Sequence, residues 1–72
     1  MKKENIGKNA GVVWRTLHDK EHEMSLGALV EATRLSHTEL AAAIGWLSRE
    51  NKIIVKETNG EFFFTVYKEC YY

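Results

Sequence analysis

Residues 52–67 read KIIVKETNGEFFFTVY, and this stretch decides the fold. Its two β-rich halves flank Asn59-Gly60, the strongest short-range signal for a two-residue type I′ hairpin turn. This turn fixes the register, and one face of the resulting ribbon carries five apolar side chains against one charge, so we expect that face to be the core side. The three pairs on it are Glu57 with Phe62, Val55 with Phe64, and Ile53 with Val66.

Before residue 52 the apolar residues repeat with the period of an α-helix. Ser36 is a predicted N-cap, and Glu39 stands three positions later, as in a capping box. A shorter helix precedes this one, with Ser25 as its predicted N-cap. The link between the two helices, residues 33–36, is so short that it predicts a helix-turn-helix. The inward residues are Leu26, Leu29, Val30 and Thr33 in the shorter helix and Leu40, Ala43, Ile44 and Leu47 in the longer one.

A first amphipathic helix is predicted from Asn5 to about Asp19. Its apolar residues recur at the spacing of one helical stripe, and Trp14 lies at the margin of that stripe. The polar residues 19–23 end the helix. The stripe consists of Ile6, Ala10, Val13 and Leu17.

Three stretches, NAGVVWRTL (9–17), MSLGALVEATRLS (24–36) and LAAAIGWLSRENKI (40–53), resemble a family of short stand-alone bacterial winged helix-turn-helix proteins. The resemblance covers roughly residues 5–67 and implies an α+β fold, in which a three-helix bundle carries a short first strand and a C-terminal β-hairpin wing. Residues 1–4 and 68–72 are expected to be flexible tails. One departure is Arg34, which takes the left-handed turn position where such units often have glycine.

The resemblance implies that the third helix, residues 36–50, reads double-stranded DNA and that residues 56–61 form the wing tip. The outward face of this helix holds small residues and one charge, Arg49. Recognition of base edges favours Arg, Lys, Asn or Gln, and this face of the helix has only one such side chain. The candidate nucleic-acid-binding residues are Ser36, His37, Thr38, Ala41, Ala42, Gly45, Arg49, Lys56 and Asn59.

The charge balance predicts weak DNA binding by a single copy. Ten Lys and Arg balance ten Asp and Glu, and the helix-turn-helix unit, residues 25–51, has two arginines against three glutamates. Phosphate neutralisation supplies most non-specific affinity. A transcriptional regulator of this kind is therefore expected to act as a homodimer, with Lys2, Lys3 and Lys8 as a candidate basic arm.

The alternative is a protein-protein interaction or dimerisation module without strong DNA binding. Small residues of the third helix form a flat, nearly chargeless strip beside Trp46, which suits a protein surface better than a polyanion. On the outer face of the hairpin, Phe63 stands between Ile54 and Tyr67. These four residues, Trp46, Ile54, Phe63 and Tyr67, are the candidate partner interface.

Other functional classes find little support in the sequence. The single cysteine, Cys70, makes no internal disulfide, and no apolar run resembles a signal or membrane segment, so a cytoplasmic location is expected. His18 and His22 have the spacing of half a zinc site, but solvated histidines are the favoured interpretation. No nucleophile is arranged with His37. We expect no enzyme, cofactor, metal, small-molecule ligand or membrane partner.

Overall fold

The computed structural model describes residues 2–20 and 23–67. The three strands form one antiparallel sheet in the order β1-β3-β2. The predicted α+β winged helix-turn-helix arrangement, including its short first strand, is confirmed. In chain order the elements are α1 (Lys3–Lys20), β1 (Met24–Ser25), α2 (Leu26–Thr33), α3 (His37–Arg49), β2 (Ile53–Thr58) and β3 (Glu61–Val66).

The hairpin has the predicted turn and the predicted register. Asn59 and Gly60 have φ angles of 53° and 80°, and a type I′ turn requires positive φ at both central residues. Val55 lies opposite Phe64, and the other five strand pairs follow in step. Turn chemistry therefore set the alignment of β2 on β3.

Only the base of the hairpin rests on the helices. Phe64 and Val66 are buried, whereas Val55 and Phe62 on the same face are 43% and 47% exposed. The expectation that this whole face belongs to the core is therefore wrong for its outer half. A six-residue strand is roughly 20 Å long, and the hairpin extends beyond the bundle. The overhanging half is the wing.

The turn between α2 and α3 uses the left-handed residue expected from the sequence. Arg34 has a φ of 62°, and its N–H donates to the Val30 carbonyl at 2.8 Å. The Thr33 hydroxyl donates to the Leu29 carbonyl at 2.7 Å, and its oxygen accepts from the Leu35 N–H at 3.3 Å. These bonds satisfy backbone groups that a helix end leaves unpaired, so the turn forms without glycine.

The end of α3 redirects the chain into β2. The Lys52 N–H donates to the Leu47 carbonyl at 2.9 Å, and the Asn51 N–H donates to the Ser48 carbonyl at 3.1 Å. Asn51 has a φ of 57°, so the three features together make a Schellman motif. Asparagine tolerates this left-handed conformation better than most residues, which explains why the helical period stops here.

The helix α1 begins at Lys3, two residues before its predicted start. Residues 3 and 4, expected in a flexible tail, are therefore helical. Glu4 lies in the first turn, where a negative charge interacts favourably with the helix dipole. The predicted C-terminal tail, residues 68–72, lies outside the described residues. Within the described residues no helix is both long and apolar enough to cross a membrane.

Helices and sheet share one hydrophobic core. The α1 stripe is buried as predicted except at Ile6, which is half-buried at the end of the helix. The inward residues of α3 are buried or half-buried as predicted, and α3 packs mainly on α1, with smaller contacts to β2 and α2. The buried core residues are Ala10, Val13, Leu17, Met24, Leu29, Leu40, Ala43, Leu47, Ile53, Phe64 and Val66.

Candidate nucleic-acid interface

The helix α3 presents one face of small side chains to solvent. Thr38, Ala41, Gly45 and Arg49 are exposed, and Ala42 at the margin is half-buried. Opposite them, Leu40 and Ala43 are fully buried and fix the rotation of the helix about its axis. The structure thus brings five predicted contact residues onto one helical surface, with Arg49 as the sole charged member.

The amino end of α3 is closed by the predicted capping box. The Ser36 hydroxyl accepts from the Glu39 N–H at 3.1 Å, and the Glu39 carboxylate accepts from the Ser36 N–H at 2.9 Å. The Ser36 side chain thereby takes part in the cap, through its hydroxyl oxygen and through a hydrogen bond with the Glu39 carboxyl. His37, the first residue of α3, is exposed.

Hydrogen bonds in this cap give Glu39 an altered acidity. The bond from the Ser36 backbone, and secondarily the one involving its side chain, hold the pKa of the Glu39 carboxyl below its ordinary value. A lowered folded-state pKa means that the ionised carboxylate favours the folded protein. This contribution is present above the unfolded-state pKa and is lost as the pH falls through the folded-state pKa.

We expect Ser36→Ala to raise the pKa of Glu39 part of the way to its ordinary value, because the side-chain bond is lost while the backbone N–H remains. An NMR titration of the Glu39 carboxyl carbon in both proteins measures the change. Thr38→Ala, next to the cap but outside its bonds, is the control and should leave this pKa unchanged. Identical titration curves for Ser36→Ala and the parent protein would contradict the prediction.

The wing supplies the remaining predicted contact residues. Lys56 on β2 and Asn59 in the turn are both exposed. They lie on a different element from the α3 face, and the fixed hairpin register determines their separation along the ribbon. In helix-turn-helix proteins the recognition helix lies in the major groove while other elements contact the backbone. Two distinct contact elements are therefore available.

The fold brings a third basic segment towards α3. Gly7 of α1 lies against Trp46, because a Cβ placed on Gly7 is 3.9 Å from the Trp46 ring. The amino-terminal half of α1, with exposed Lys3 and Lys8, therefore packs beside the carboxyl-terminal half of α3, which carries Arg49. The sequence places these segments some forty residues apart, and only the packing of α1 on α3 makes them neighbours.

Both tryptophans line a groove between α1 and α3. The groove has a volume of about 310 Å³, with glycines 7 and 11 on its α1 side and Lys52 at its edge. Trp14 is half-buried and stacks on His18 with ring centroids 4.9 Å apart, whereas Trp46 is 43% exposed. Trp14 is therefore a packing residue at the margin of the α1 stripe, as its sequence position indicates, whereas Trp46 is exposed to solvent.

The four predicted partner-interface residues do not form one patch. Ile54 and Tyr67 are 45% and 46% exposed on the outer face of the hairpin, and Trp46 lies in the groove beside α1. Phe63 is half-buried, because β1 pairs with β3 at this point and Phe63 lines a cleft of about 580 Å³ with α2 residues. Phe63 therefore keeps the predicted face of the hairpin, that of Ile54, but it is half-buried rather than exposed.

Only one histidine of the predicted half zinc site, His18, lies within the described residues. His18 is exposed, and its Nδ1 lies 3.7 Å from an Asp19 carboxylate oxygen. His22 and Cys70 lie outside the described residues. In residues 2–20 and 23–67 no three metal-ligating side chains converge.

Comparison with known proteins agrees with this architecture. The solution NMR structure of protein BT2368 from Bacteroides thetaiotaomicron is similar, with 37% sequence identity and a TM-score of 0.79 over 92% of this chain and 79% of that chain. No curated protein matches the sequence. The model of the family described as winged helix-turn-helix domain (DUF2582) matches residues 1–66. The chain therefore belongs to this winged helix-turn-helix family, DUF2582.

Proposed function

We propose that this protein is a DNA-binding transcriptional regulator that acts as a homodimer, with α3 in the major groove. The observation that carries the proposal is the exposed α3 face, on which Thr38, Ala41 and Gly45 offer no bulk and Arg49 supplies the charge. Small side chains let a helix approach base edges closely, and the family's fold is of a DNA-binding type. The orientation of α3 is also fixed, because the side chains on its opposite face are buried in the core.

Each proposed contact residue has a role set by its chemistry. Ser36 and His37 stand at the α3 amino end, where the helix dipole favours a phosphate. Ala41 and Ala42 are suited to thymine methyl groups, and Arg49 to a guanine edge or a phosphate. Lys56 and Asn59 extend the contact to the DNA backbone through the wing. Thr38 and Gly45 are the remaining contact residues on α3, and their small size lets the helix lie close to the DNA.

The charges of the site predict weak, salt-sensitive binding by one copy. The exposed cations of the helix-turn-helix and the hairpin are Arg34, Arg49, Lys52 and Lys56, and Lys3 and Lys8 lie on the adjacent half of α1. Each phosphate contact contributes about 0.9 to the slope of log affinity against log salt. A homodimer doubles the contacts, and this is the reason to propose one.

Titration with a random-sequence duplex at about 20 mM salt, followed by amide NMR shifts, tests the proposal. We expect shifts at Thr38, Ala42 and Arg49 and on the wing at Lys56 and Asn59, all of which disappear as salt is raised. Absence of shifts at this salt concentration overturns it.

A charge-neutralising pair of variants adds a control to this titration. Arg49→Gln should reduce the salt slope by about one unit, whereas Arg15→Gln, an exposed α1 position outside the proposed contact set, should leave it unchanged. An equal reduction by both variants would mean that net charge alone governs binding, against a role for the α3 face.

A second candidate function, a protein-protein interaction module without strong DNA binding, is supported by the exposed apolar side chains. Trp46, Val55 and Phe62 are each more than two-fifths exposed. Scattered apolar residues are ordinary on protein surfaces. Val55 and Phe62, however, lie together on the bundle-side face of the wing, the face that packs against the helices at the hairpin base, and both are exposed in the monomer.

A further inference from the structure

The strand β2 forms a free edge of the sheet. Its one strand neighbour within the described residues is β3. The Tyr67 N–H donates to the Lys52 carbonyl at 2.9 Å, and in an antiparallel ladder hydrogen-bonded pairs alternate with non-bonded pairs. With the observed register, the backbone groups of Ile53, Val55 and Glu57 therefore point away from β3, towards the open edge.

The first half of this edge strand is apolar and its second half is polar. Ile54 and Val55 are 45% and 43% exposed, and residues 54–58 are exposed throughout. Proteins commonly protect free edges with charged side chains, prolines or bulges, and β2 has two charged residues, Lys56 and Glu57, but no proline. Its paired residues run without interruption from Ile53 to Thr58. The edge is a continuous template for another strand.

The bundle-side face of the wing also lacks a cover. Val55 and Phe62 lie on the face that packs against the helices at the hairpin base, yet both are more than two-fifths exposed. In an antiparallel pair of β2 strands about a two-fold axis, the tip of each wing lies beside the base of the other. The overhang of one copy then lies next to the helical bundle of the second copy.

We propose that two copies of the chain pair antiparallel through β2, with Val55 on the two-fold axis, forming a continuous six-stranded sheet. This interface belongs to the homodimer of the proposed function and so deepens that proposal, but it requires no DNA. Val55 faces its own counterpart, and each Ile53 faces a Glu57. These three outward-facing pairs supply about six interchain backbone hydrogen bonds.

Charge selects this register from the alternatives. In an antiparallel pair of β2 strands, each residue whose backbone groups point outward must lie opposite another such residue. These residues are Ile53, Val55 and Glu57, so the permitted registers are those that place members of this set opposite one another. The next permitted register in one direction places Lys52 of one copy opposite Lys56 of the other. The next permitted register in the other direction places the two copies of Lys56 opposite each other. Like charges directly opposite are destabilising. With Val55 on the axis, Lys56 faces Ile54 and no like charges face each other.

Sedimentation of the full chain over a concentration series tests the pairing. We expect a species of twice the 8.3 kDa chain mass. Val55→Pro removes an N–H that the hairpin itself does not use and should raise the dissociation constant by roughly tenfold or more. Val55→Thr keeps the N–H and the β-branched shape and should leave the dimer largely intact. NMR spectra of both variants check that the fold persists.

Cross-linking tests the register in a Cys70→Ser background. With Val55 on the axis, its two Cα atoms lie about 5.5 Å apart, within disulfide range, so Val55→Cys should cross-link readily on oxidation. Glu57→Cys, on the same strand and face, should not, because the two copies of residue 57 lie roughly 13 Å apart. A monomer at all concentrations, or preferential cross-linking at residue 57, overturns the proposal. DNA binding without a dimer overturns the pairing alone, and a dimer without DNA binding overturns the regulator alone.

Discussion

Replacing Leu40 by alanine is expected to lower the free energy of unfolding by about 2–5 kcal/mol, because the side chain is fully buried and its removal leaves a cavity. A domain of this size has a total free energy of unfolding on the order of 5 kcal/mol. The variant should therefore lose most of its stability. Urea unfolding followed by circular dichroism measures the change, at one fixed protein concentration so that self-association contributes equally.

Val12→Ala is the matched control for this substitution. Val12 lies on α1 and is 36% exposed, so truncating it should change the free energy of unfolding by less than about 0.5 kcal/mol. A cost below about 1 kcal/mol for Leu40→Ala would contradict the assignment of this residue to the core. Because Leu40 anchors α3 opposite Ala41 and Gly45, the same variant should also weaken the α3-dependent binding.

Replacing Gly45 by glutamate is expected to weaken DNA binding at least about tenfold. Gly45 is exposed on the α3 face, and a Cβ added there meets no atom within 4 Å. The helix therefore accommodates the new side chain, and losing glycine from its interior favours the helix. The loss of affinity follows from placing a carboxylate towards the DNA, and fluorescence anisotropy with a labelled duplex measures it.

The control for this variant is Gly11→Glu on α1. It adds the same charge at another exposed helical glycine with open space around its Cβ. We expect only a small decrease in affinity from the changed net charge. Equal losses from Gly45→Glu and Gly11→Glu would mean that α3 has no special position in the complex, and the proposed reader face would be abandoned.

The two proposals place DNA binding and self-association on different parts of the molecule. The α3 face lies outside the paired segment of β2, residues 53–57, whereas the turn at Asn59 lies beside the hairpin base of the second copy in the dimer. Lys56 lies within the paired segment and faces Ile54 across the interface. Its contribution to DNA binding is therefore expected to depend on the dimer.

Elements with a strong local signal were predicted accurately from the sequence. The Asn59-Gly60 turn determines its own backbone conformation, and the register of β2 on β3 follows from it. Ser25 and Ser36 cap their helices through hydrogen bonds within three residues. The left-handed Arg34 also followed from its place in the helix-turn-helix. In each case the deciding interactions join residues close in the chain, so a short window of sequence contains them.

Exposure of the hairpin residues was predicted less well. Alternation along a strand says which residues share a face, but it does not say how far the helices extend beneath that face. Val55 and Phe62 are therefore more exposed than their pattern suggests. Phe63 is less exposed because β1, nearly forty residues earlier in the chain, pairs beside it.

The amino-acid sequence by itself determined the helices, their caps and the hairpin register, because local hydrogen bonds and hydrophobic periodicity act over a few residues. Its resemblance to a known family implied the complete winged helix-turn-helix architecture with the short first strand. The tertiary structure alone decided that the α1 half carrying Lys3 and Lys8 lies beside the α3 half carrying Arg49, and that the strand β2 is left at an open edge. Both depend on how distant segments pack in three dimensions, where the burial of one shared core, rather than any local preference, sets which surfaces meet.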